Sequence, residues 1–153
     1  MYLQDVPSIY DVQFAPGISY GEMYKRAEWE WSSYNFEQAD VAAHFASFDH
    51  YEKEAKRLLA LGGEGEKRDP LKVLVLPAYD FVAKAAHQFN VLDARGAIGV
   101  TERARFIGRV RGLAKGVAES YLAQREALGF PLLKKDASAA KAEPATPAAP
   151  AQP

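Results

Sequence analysis

Residues 36–61, FEQADVAAHFASFDHYEKEAKRLLAL, have the clearest periodicity in the chain. Their apolar residues recur at steps of three and four, which places them along one face of an α-helix. That face holds Val41, Phe45, Phe48, Tyr51, Ala55, Leu58 and Leu59. The pattern predicts an amphipathic helix over residues 36–61 that packs through this face against other helices.

A loop and a second helix are predicted after this stretch. Gly62-Gly63 ends the first helix, because glycine readily adopts the left-handed conformation common at helix C-termini. The charged residues 65–70 are predicted to form a surface loop, and residues 71–76 an extended lead-in. Pro77 suits the first turn of a helix, where its missing amide hydrogen costs nothing. We expect this second helix to run to about Phe89.

The longest predicted helix starts at Thr101 and ends near Leu128. Thr101 supplies a hydroxyl N-cap, Gly129 a C-terminal cap, and Pro131 prevents the helix from resuming. Between the second helix and this one, Asp93 is predicted to cap a short turn.

On the N-terminal side, residues 1–18 are short apolar pieces broken by prolines and a glycine. They are interpreted as the end of one element followed by a loop. Residues 19–22, Ser-Tyr-Gly-Glu, have the form of a capping box, in which a hydroxyl residue is followed three positions later by Glu. This motif predicts a helix that extends to about Trp31.

The predicted fold class is all-α, an irregular bundle of about four to five helices in residues 19–133. Residues 134–153 are rich in alanine and proline and contain almost no large apolar side chain. Such a segment cannot bury enough surface to offset the entropy of ordering it. It is therefore predicted to be a disordered tail.

The composition excludes several functional classes. The chain has 153 residues and a net charge of −1, so as a whole it does not attract nucleic acid or membranes electrostatically. Its lack of cysteine excludes disulfides, thiolate catalysis and sulfur-ligated zinc, and favours a reducing compartment. The first residues, MYLQD, do not resemble a signal peptide, and no apolar run approaches the roughly 20 residues that span a bilayer. We expect a soluble cytoplasmic protein.

The last helix carries a basic stretch and a line of small residues. The basic residues, our candidate contacts for a partner or RNA, are Arg103, Arg105, Arg109, Arg111 and Lys115. The small residues are Ala104, Gly108, Gly112, Gly116 and Ser120. They lie roughly opposite an apolar side formed by Phe106, Val110, Leu113, Val117 and Tyr121.

Two interpretations of this helix remain open. Each glycine within a helix costs about 1 kcal/mol relative to alanine, so the line predicts that something packs close to the backbone. The first interpretation is another helix of the same domain, and the alternative is a partner protein or an RNA backbone. Aromatic residues are not interleaved with the arginines, as a base-stacking platform would require. The basic residues are otherwise a solvated face or members of ion pairs.

No constellation in the sequence assembles an active site. Asp40 and His44 stand four positions apart, but two ligands do not make a metal site. Asp49, Glu52 and Glu54 are interpreted as a solvated carboxylate cluster. The chain has no glycine-rich phosphate loop and no nucleophile elbow. We therefore predict no catalytic, cofactor-binding or metal-binding residue in it.

Several strings of the chain stand in an order that is typical of one known family. They are MYLQ at 1–4, SIYD at 8–11, YNFE at 34–37, ADV at 39–41, YEKEA at 51–55, LPAY at 76–79, KAAHQFNVLDAR at 84–95, VTER at 100–103, RVR at 109–111 and REALGFP at 125–131. Together they resemble the α subunit of bacterial heterotetrameric (α2β2) glycyl-tRNA synthetase. Only the tail and the loop at residues 62–69 fall outside the resemblance.

The resemblance implies a class II aminoacyl-tRNA synthetase that joins glycine to its tRNA through a glycyl-adenylate, with ATP and magnesium. In that family an antiparallel-sheet catalytic domain precedes a helical domain. The third class II motif ends in a Gly-Leu-Glu-Arg-Leu-Ala-Met-Tyr-like string, whose arginine contacts ATP. Met1-Tyr2 match its last two positions, so the catalytic residues are expected upstream of Met1. The implied partners are the β subunit, a second α subunit and tRNA(Gly).

We therefore expect a catalytically incomplete fragment, the C-terminal helical portion of this α subunit. Residues 1–18 are then the end of the third-motif helix and its connecting loop. Residues 19–133 are the helical domain, and residues 134–153 the tail. The alternative is an autonomous helical adaptor or RNA-binding module derived from that domain.

Overall fold

The computed structural model describes residues 1–133, which form four α-helices preceded by a short hairpin. The hairpin consists of β1 (Gln13–Ala15) and β2 (Ile18–Ser19). The helices are α1 (Tyr20–Ser33), α2 (Val41–Ala60), α3 (Val75–Ala94) and α4 (Val100–Ala127). The predicted all-α class is confirmed. The predicted tail at residues 134–153 lies outside the described residues.

Shorter helical turns complete the described chain. A π-helical turn, Tyr34–Gln38, joins α1 to α2. Turns of 3-10 helix occur at Tyr2–Gln4, Ile9–Asp11, Gly65–Lys67 and Pro70–Lys72. Within residues 1–133, no helix is both long enough and apolar enough to cross a membrane.

The core lies between α2, α3 and α4, which we call the bundle. The periodicity of α2 correctly predicts that Phe48, Ala55 and Leu58 are buried. Phe48 meets Phe106 of α4 edge to face, with 4.8 Å between ring centroids. Leu92 of α3 lies in the same cluster and is fully buried. Since burying a large apolar side chain contributes about 1.5–3 kcal/mol, this three-helix contact is the main source of stability.

Residues 1–38, which we call the arm, lie outside this core. α1 has no buried residue, and it packs on the turn at Ile9–Asp11, on β2 and on the π-turn. The predicted capping box starts it: the Glu22 amide donates to Ser19 Oγ at 3.2 Å, and the Ser19 amide to the Glu22 carboxylate at 2.7 Å. Gly21 is required here, because a Cβ would lie 2.8 Å from the Tyr10 carbonyl oxygen.

The interpretation of residues 1–18 as the end of an element and a loop misses the hairpin. Its turn is formed by Pro16-Gly17, and Gly17 has a φ of 76°, which favours glycine. The strands are only three and two residues long, too short for a periodicity of two to be recognised in the sequence.

α2 begins five residues later than predicted, at Val41 rather than 36. The π-turn occupies residues 34–38 and ends before Ala39, whose side chain is buried. Asp40 caps the new helix by accepting a hydrogen bond from the Ala43 amide at 3.1 Å. At the other end the predicted stop at Gly62-Gly63 is confirmed, since α2 ends at Ala60.

α3 is longer than predicted. It starts at Val75 and continues to Ala94, so Asp93 lies inside the helix and does not cap a separate turn. The N-cap position of α4 is Gly99, and Thr101 lies within the first turn instead of capping it. The predicted end near Leu128 is confirmed, with Gly129 in the left-handed region at φ 67°.

Candidate interaction site

The five basic residues predicted as partner or RNA contacts lie on the first half of α4, and four of them pair with carboxylates. Arg103 Nε donates to both carboxylate oxygens of Asp93 at 3.0 Å, which ties the start of α4 to the end of α3. Arg105 pairs with Glu102 at 3.4 Å on the same helix. These pairs are largely exposed, so each contributes about 0–1 kcal/mol.

Arg109 lies at the centre of the contact between α2 and α4. Its guanidinium Nε donates to the two oxygens of Glu52 at 3.2 and 3.1 Å, and Nη2 donates to Asp49 at 2.6 Å. The group also lies over Phe48 and Phe106, 4.5 and 5.0 Å from the ring centroids, within the range of a cation–π contact. Its Nε and Nη2 donors are thereby used within the bundle.

This ion pair changes the ionisation of both partners. Hydrogen bonds from Arg109 lower the pKa of Glu52 and outweigh burial, which alone would raise it. Hydrogen bonding to Glu52 in turn raises the pKa of Arg109. Glu52 is only 8% exposed, so the prediction of a solvated carboxylate cluster is wrong for this residue. The sequence did indicate that Glu52 is buried, because it lies four residues after Phe48 and three before Ala55, on the apolar face of α2.

The other two basic residues are exposed. Lys115 pairs with Glu119 at 3.6 Å one turn further along α4. Arg111 forms no ion pair within residues 1–133. The five side chains do not converge on one patch in this part of the chain, because Arg103 and Arg109 bind other helices.

The line of small residues on α4 is half covered. Gly116 and Ser120 are packed: a Cβ on Gly116 would lie 3.3 Å from Leu59, and Ser120 Oγ accepts a hydrogen bond from Arg68 at 2.8 Å. At Gly108 and Gly112 a Cβ would meet nothing within 4 Å. These two glycines instead face an open cleft of about 500 Å³ between α2 and α4. The predicted close packing therefore holds only for the second half of the line.

Asp40 and His44 act in structural contacts. Asp40 is the N-cap of α2, and His44 Nε2 lies 3.0 Å from the hydroxyl of Tyr34. The other ring nitrogen of His44 is hydrogen-bonded to the side-chain oxygen of Gln88, which is buried in α3. No group of three or more His, Asp or Glu side chains in residues 1–133 is placed to hold a metal ion.

The junction between the arm and the bundle is fixed by a second set of contacts. Arg95, at the end of α3, donates to the carbonyl oxygens of Phe36 at 2.8 Å and Ala39 at 3.2 Å. Together with the Tyr34–His44 contact, these bonds hold the π-turn against the bundle. Sequence reasoning missed the two Arg95 bonds, because their partners lie more than 50 residues apart and one side of the pairing is backbone.

The arm presents an uncovered apolar surface that sequence reasoning also missed. Trp29 and Trp31 of α1 are 57% and 66% exposed, and Phe14, Met23 and Phe36 are also exposed. Two residues apart on a helix, the two tryptophans are separated by about 160° around its axis and so lie on nearly opposite sides. One neighbouring helix cannot cover both, and this spacing was a signal available in the sequence. Arg26 covers part of Trp29, with its guanidinium 4.3 Å from the ring centroid.

The contacts of the arm with itself keep this surface ordered. The hydroxyls of Tyr10 and Tyr20 donate to the two oxygens of Glu28 at 3.0 and 2.6 Å. These bonds raise the pKa of both tyrosines. α1 is therefore locked onto the turn at Ile9–Asp11 through one carboxylate, while its tryptophans face outward.

The geometry thus combines a helical bundle with an arm that exposes apolar side chains and with an open cleft between α2 and α4. The family model of the glycyl-tRNA synthetase alpha subunit matches residues 1–126, which include the arm and all but the last residue of α4. This is a family of tRNA ligases, whose members act in protein biosynthesis. The match spans most of the strings on which the resemblance rests. The chain belongs to the glycyl-tRNA synthetase alpha subunit family.

Proposed function

We propose that this chain is the helical, partner-binding part of a glycyl-tRNA synthetase and that it does not activate glycine alone. In the assembled α2β2 enzyme it supports ATP-dependent glycyl-tRNA synthesis in the cytoplasm. The observation that carries this proposal is the arm, whose aromatic side chains are uncovered within residues 1–133 although α1 is held in place by Glu28. Several large apolar side chains left uncovered on one ordered segment are what a surface that binds other proteins would supply.

The chemistry of the charged residues supports the proposal that this chain does not activate glycine alone. Glu52, the least exposed carboxylate in residues 1–133, is paired with Arg109, and the pair is a structural contact between α2 and α4. None of the positions that resemble the family is one of its catalytic residues. No group of three or more His, Asp or Glu side chains in residues 1–133 could hold a metal ion, and we assign these side chains no chemical step.

The first test is ATP–pyrophosphate exchange with glycine by the isolated chain. We expect exchange at the background rate, because the proposed role gives this chain none of the groups that stabilise charge during adenylate formation. Exchange above background would contradict the proposal directly. The purified β subunit, added at increasing concentration, is expected to bind the chain in analytical ultracentrifugation.

The competing function, an autonomous RNA-binding module, is tested by measuring how RNA affinity depends on salt concentration. Binding to phosphates releases counterions, so RNA affinity would fall log-linearly with salt concentration. The pairing of four of the five basic residues of α4 with carboxylates argues against such a surface. Tight, salt-dependent binding of tRNA without the β subunit would favour the RNA-binding module over our proposal.

A further inference from the structure

An apolar groove of about 390 Å³ lies between the start of α3 and the second half of α4. Two buried valines, one from each helix, form its base. Its walls hold larger side chains that stay exposed within residues 1–133, namely Leu76 and Tyr79 of α3 and Tyr121 of α4. The groove is separate from the arm, because Tyr79 lies sixteen residues, or about 24 Å, before Arg95, where the arm joins α3.

The lining of this groove fits the apolar face of a helix. It consists of alanine, valine, leucine and tyrosine residues, with no charged residue among them. An extended segment would direct backbone amides at these apolar side chains, whereas an α-helix pairs its own backbone groups. Ala114 and Ala118, four residues apart on α4, leave room for the side chains of an approaching helix. An amphipathic helix in a groove of this kind is a common way for one protein to bind another.

The exposed strip of α4 that includes Ala114 and Ala118 carries positive charge. On a helical wheel Arg111 and Arg125 fall on the same strip, one at each end. Neither arginine forms an ion pair within residues 1–133, and Arg125 donates to the uncharged Gln124 at 3.2 Å.

The carboxylates near the groove do not balance this charge. Asp80 is paired with Lys84 on α3 at 2.7 Å, and Glu119 with Lys115 on α4 at 3.6 Å. Glu126 lies about a quarter turn around α4 from the strip. The charge that remains along the groove is therefore positive, and acidic side chains on the occupant would complement it.

The same charges argue against a second copy of this chain as the occupant. In an antiparallel, two-fold contact between α4 helices centred on Ala118, each Arg111 would face the Arg125 position of the other copy, because both lie seven residues from the centre. Like charges placed opposite each other across an interface are unfavourable. A different protein that brings acidic side chains avoids this repulsion.

We propose that the groove binds an amphipathic helix of the β subunit, which has an apolar face and acidic residues beside it. This inference rests on the proposed function and adds a second contact to that of the arm. Apolar side chains of the helix pack over Ala114 and Ala118, between Tyr79 and Tyr121. A carboxylate near one end of the helix accepts hydrogen bonds from Arg111, which is exposed.

Calorimetric titration of the full chain with the purified β subunit tests this contact. Ala118→Gln fills the groove with a polar side chain, and Arg111→Glu reverses the charge at its end. We expect each variant to lose affinity by about tenfold or more. The matched controls, Ala46→Gln on α2 and Arg105→Glu on α4, should bind as the original chain does. All four positions are exposed, so the substitutions should leave the fold intact.

The outcomes separate this inference from the proposed function. Unchanged affinity in either groove variant, together with weaker binding by Trp29→Ser with Trp31→Ser, overturns the groove contact and leaves the arm as the contact. Absence of binding by the original chain overturns both proposals. A dimer of the chain alone that sedimentation detects and that Ala118→Gln abolishes would assign the groove to a second copy, which contradicts the proposal.

Cross-linking identifies the residue that Arg111 contacts. Arg111→Lys keeps the positive charge, and a carbodiimide joins the new amine directly to a touching carboxylate. In the complex we expect a cross-link to an aspartate or glutamate of the β subunit whose neighbouring apolar residues recur at steps of three and four. Arg105→Lys, at an exposed position off the strip, should give no such product. Cross-links to the β subunit at both positions, or at neither, would contradict the assigned contact.

Discussion

Arg109 of α4 binds both carboxylate oxygens of Glu52 of α2, with its Nε 3.2 and 3.1 Å from them, across 57 residues of sequence. Glu52 is 8% exposed and Arg109 lies over the ring of Phe48. The pair is therefore a polar contact set into the edge of the hydrophobic core. It determines how α4 is positioned along α2, because a shift of one helical turn would leave a buried carboxylate without its donor.

Replacement of Arg109 by methionine is expected to destabilise the chain by roughly 2 kcal/mol. Removing one partner of a fully buried pair costs about 3–5 kcal/mol, and the Arg109 side chain is 25% exposed, which reduces the effect. Urea denaturation followed by circular dichroism measures the change. The double variant with Glu52→Leu should recover much of the loss, since no buried charge then remains unpaired.

Lys115→Met is the matched control for this prediction. It removes a basic side chain from the same helix, but its pair with Glu119 is exposed, with side chains 76% and 64% accessible. We expect a change within about 0.5 kcal/mol. Equal destabilisation by the two substitutions would mean that helix propensity, not the buried ion pair, explains the effect.

The same pair predicts a decrease of stability in acid. The pKa of Glu52 is lower in the folded chain than its ordinary value of 4.5, chiefly through hydrogen bonds from Arg109. The unfolded chain therefore takes up a proton first, so the stabilisation is complete above the unfolded pKa and is lost as the pH falls through the folded pKa. Unfolding free energies measured from pH 7 to 3 should show the gap between the original chain and Arg109→Met closing below about pH 4.5. A gap independent of pH would contradict this assignment.

What the sequence predicted correctly was local. The capping box at Ser19 depends on four consecutive residues, and the buried face of α2 on a repeat within one helix. What it predicted wrongly depended on distant partners: Glu52 was interpreted as solvated because its donor lies on α4. The start of α2 was placed too early, because the π-turn at residues 34–38 continues the helical pattern and is held by Arg95 from another helix.

Gly112→Ala is expected to stabilise the chain by about 0.5–1 kcal/mol. Nothing lies within 4 Å of the position that the new Cβ would take, and alanine loses less entropy than glycine in a helix interior. Gly62→Ala is the contrasting variant, because its Cβ would lie 2.6 Å from Val73 Cγ2 and 2.8 Å from the Asp69 carbonyl oxygen. In thermal denaturation, the Tm of Gly112→Ala should be higher than that of the original chain, and the Tm of Gly62→Ala should be lower. A lower Tm for Gly112→Ala would show that the cleft is closed in solution.

Ser19→Ala is expected to loosen α1 without unfolding the bundle. The substitution removes the cap that satisfies the Glu22 amide, a loss of about 1 kcal/mol. Because α1 contributes no buried residue, this loss should appear locally. Hydrogen exchange should become faster in the first turn of α1 and stay unchanged in α2 and α3. Uniformly faster exchange would mean that the arm and the bundle unfold as one unit.

Trp29→Ser combined with Trp31→Ser should separate binding from folding. Both side chains are more than half exposed in residues 1–133, so their loss should change the unfolding free energy by no more than about 0.5 kcal/mol. If the arm is the surface that the β subunit covers, the same variant should lose affinity for it by at least tenfold, about 1.4 kcal/mol. Leu71→Ser, an exposed apolar residue outside the arm, is the matched control and should bind normally.

Fluorescence gives an independent check, because the two tryptophans of the chain both lie on α1. In the isolated chain their emission should be that of water-exposed indole, and it should shift to shorter wavelength when the β subunit is added. Binding without any shift would place the contact elsewhere, with the open cleft beside Gly108 and Gly112 as the next surface to test. A blue-shifted emission before any partner is added would mean that α1 is already covered, and the arm would then lose its assigned role.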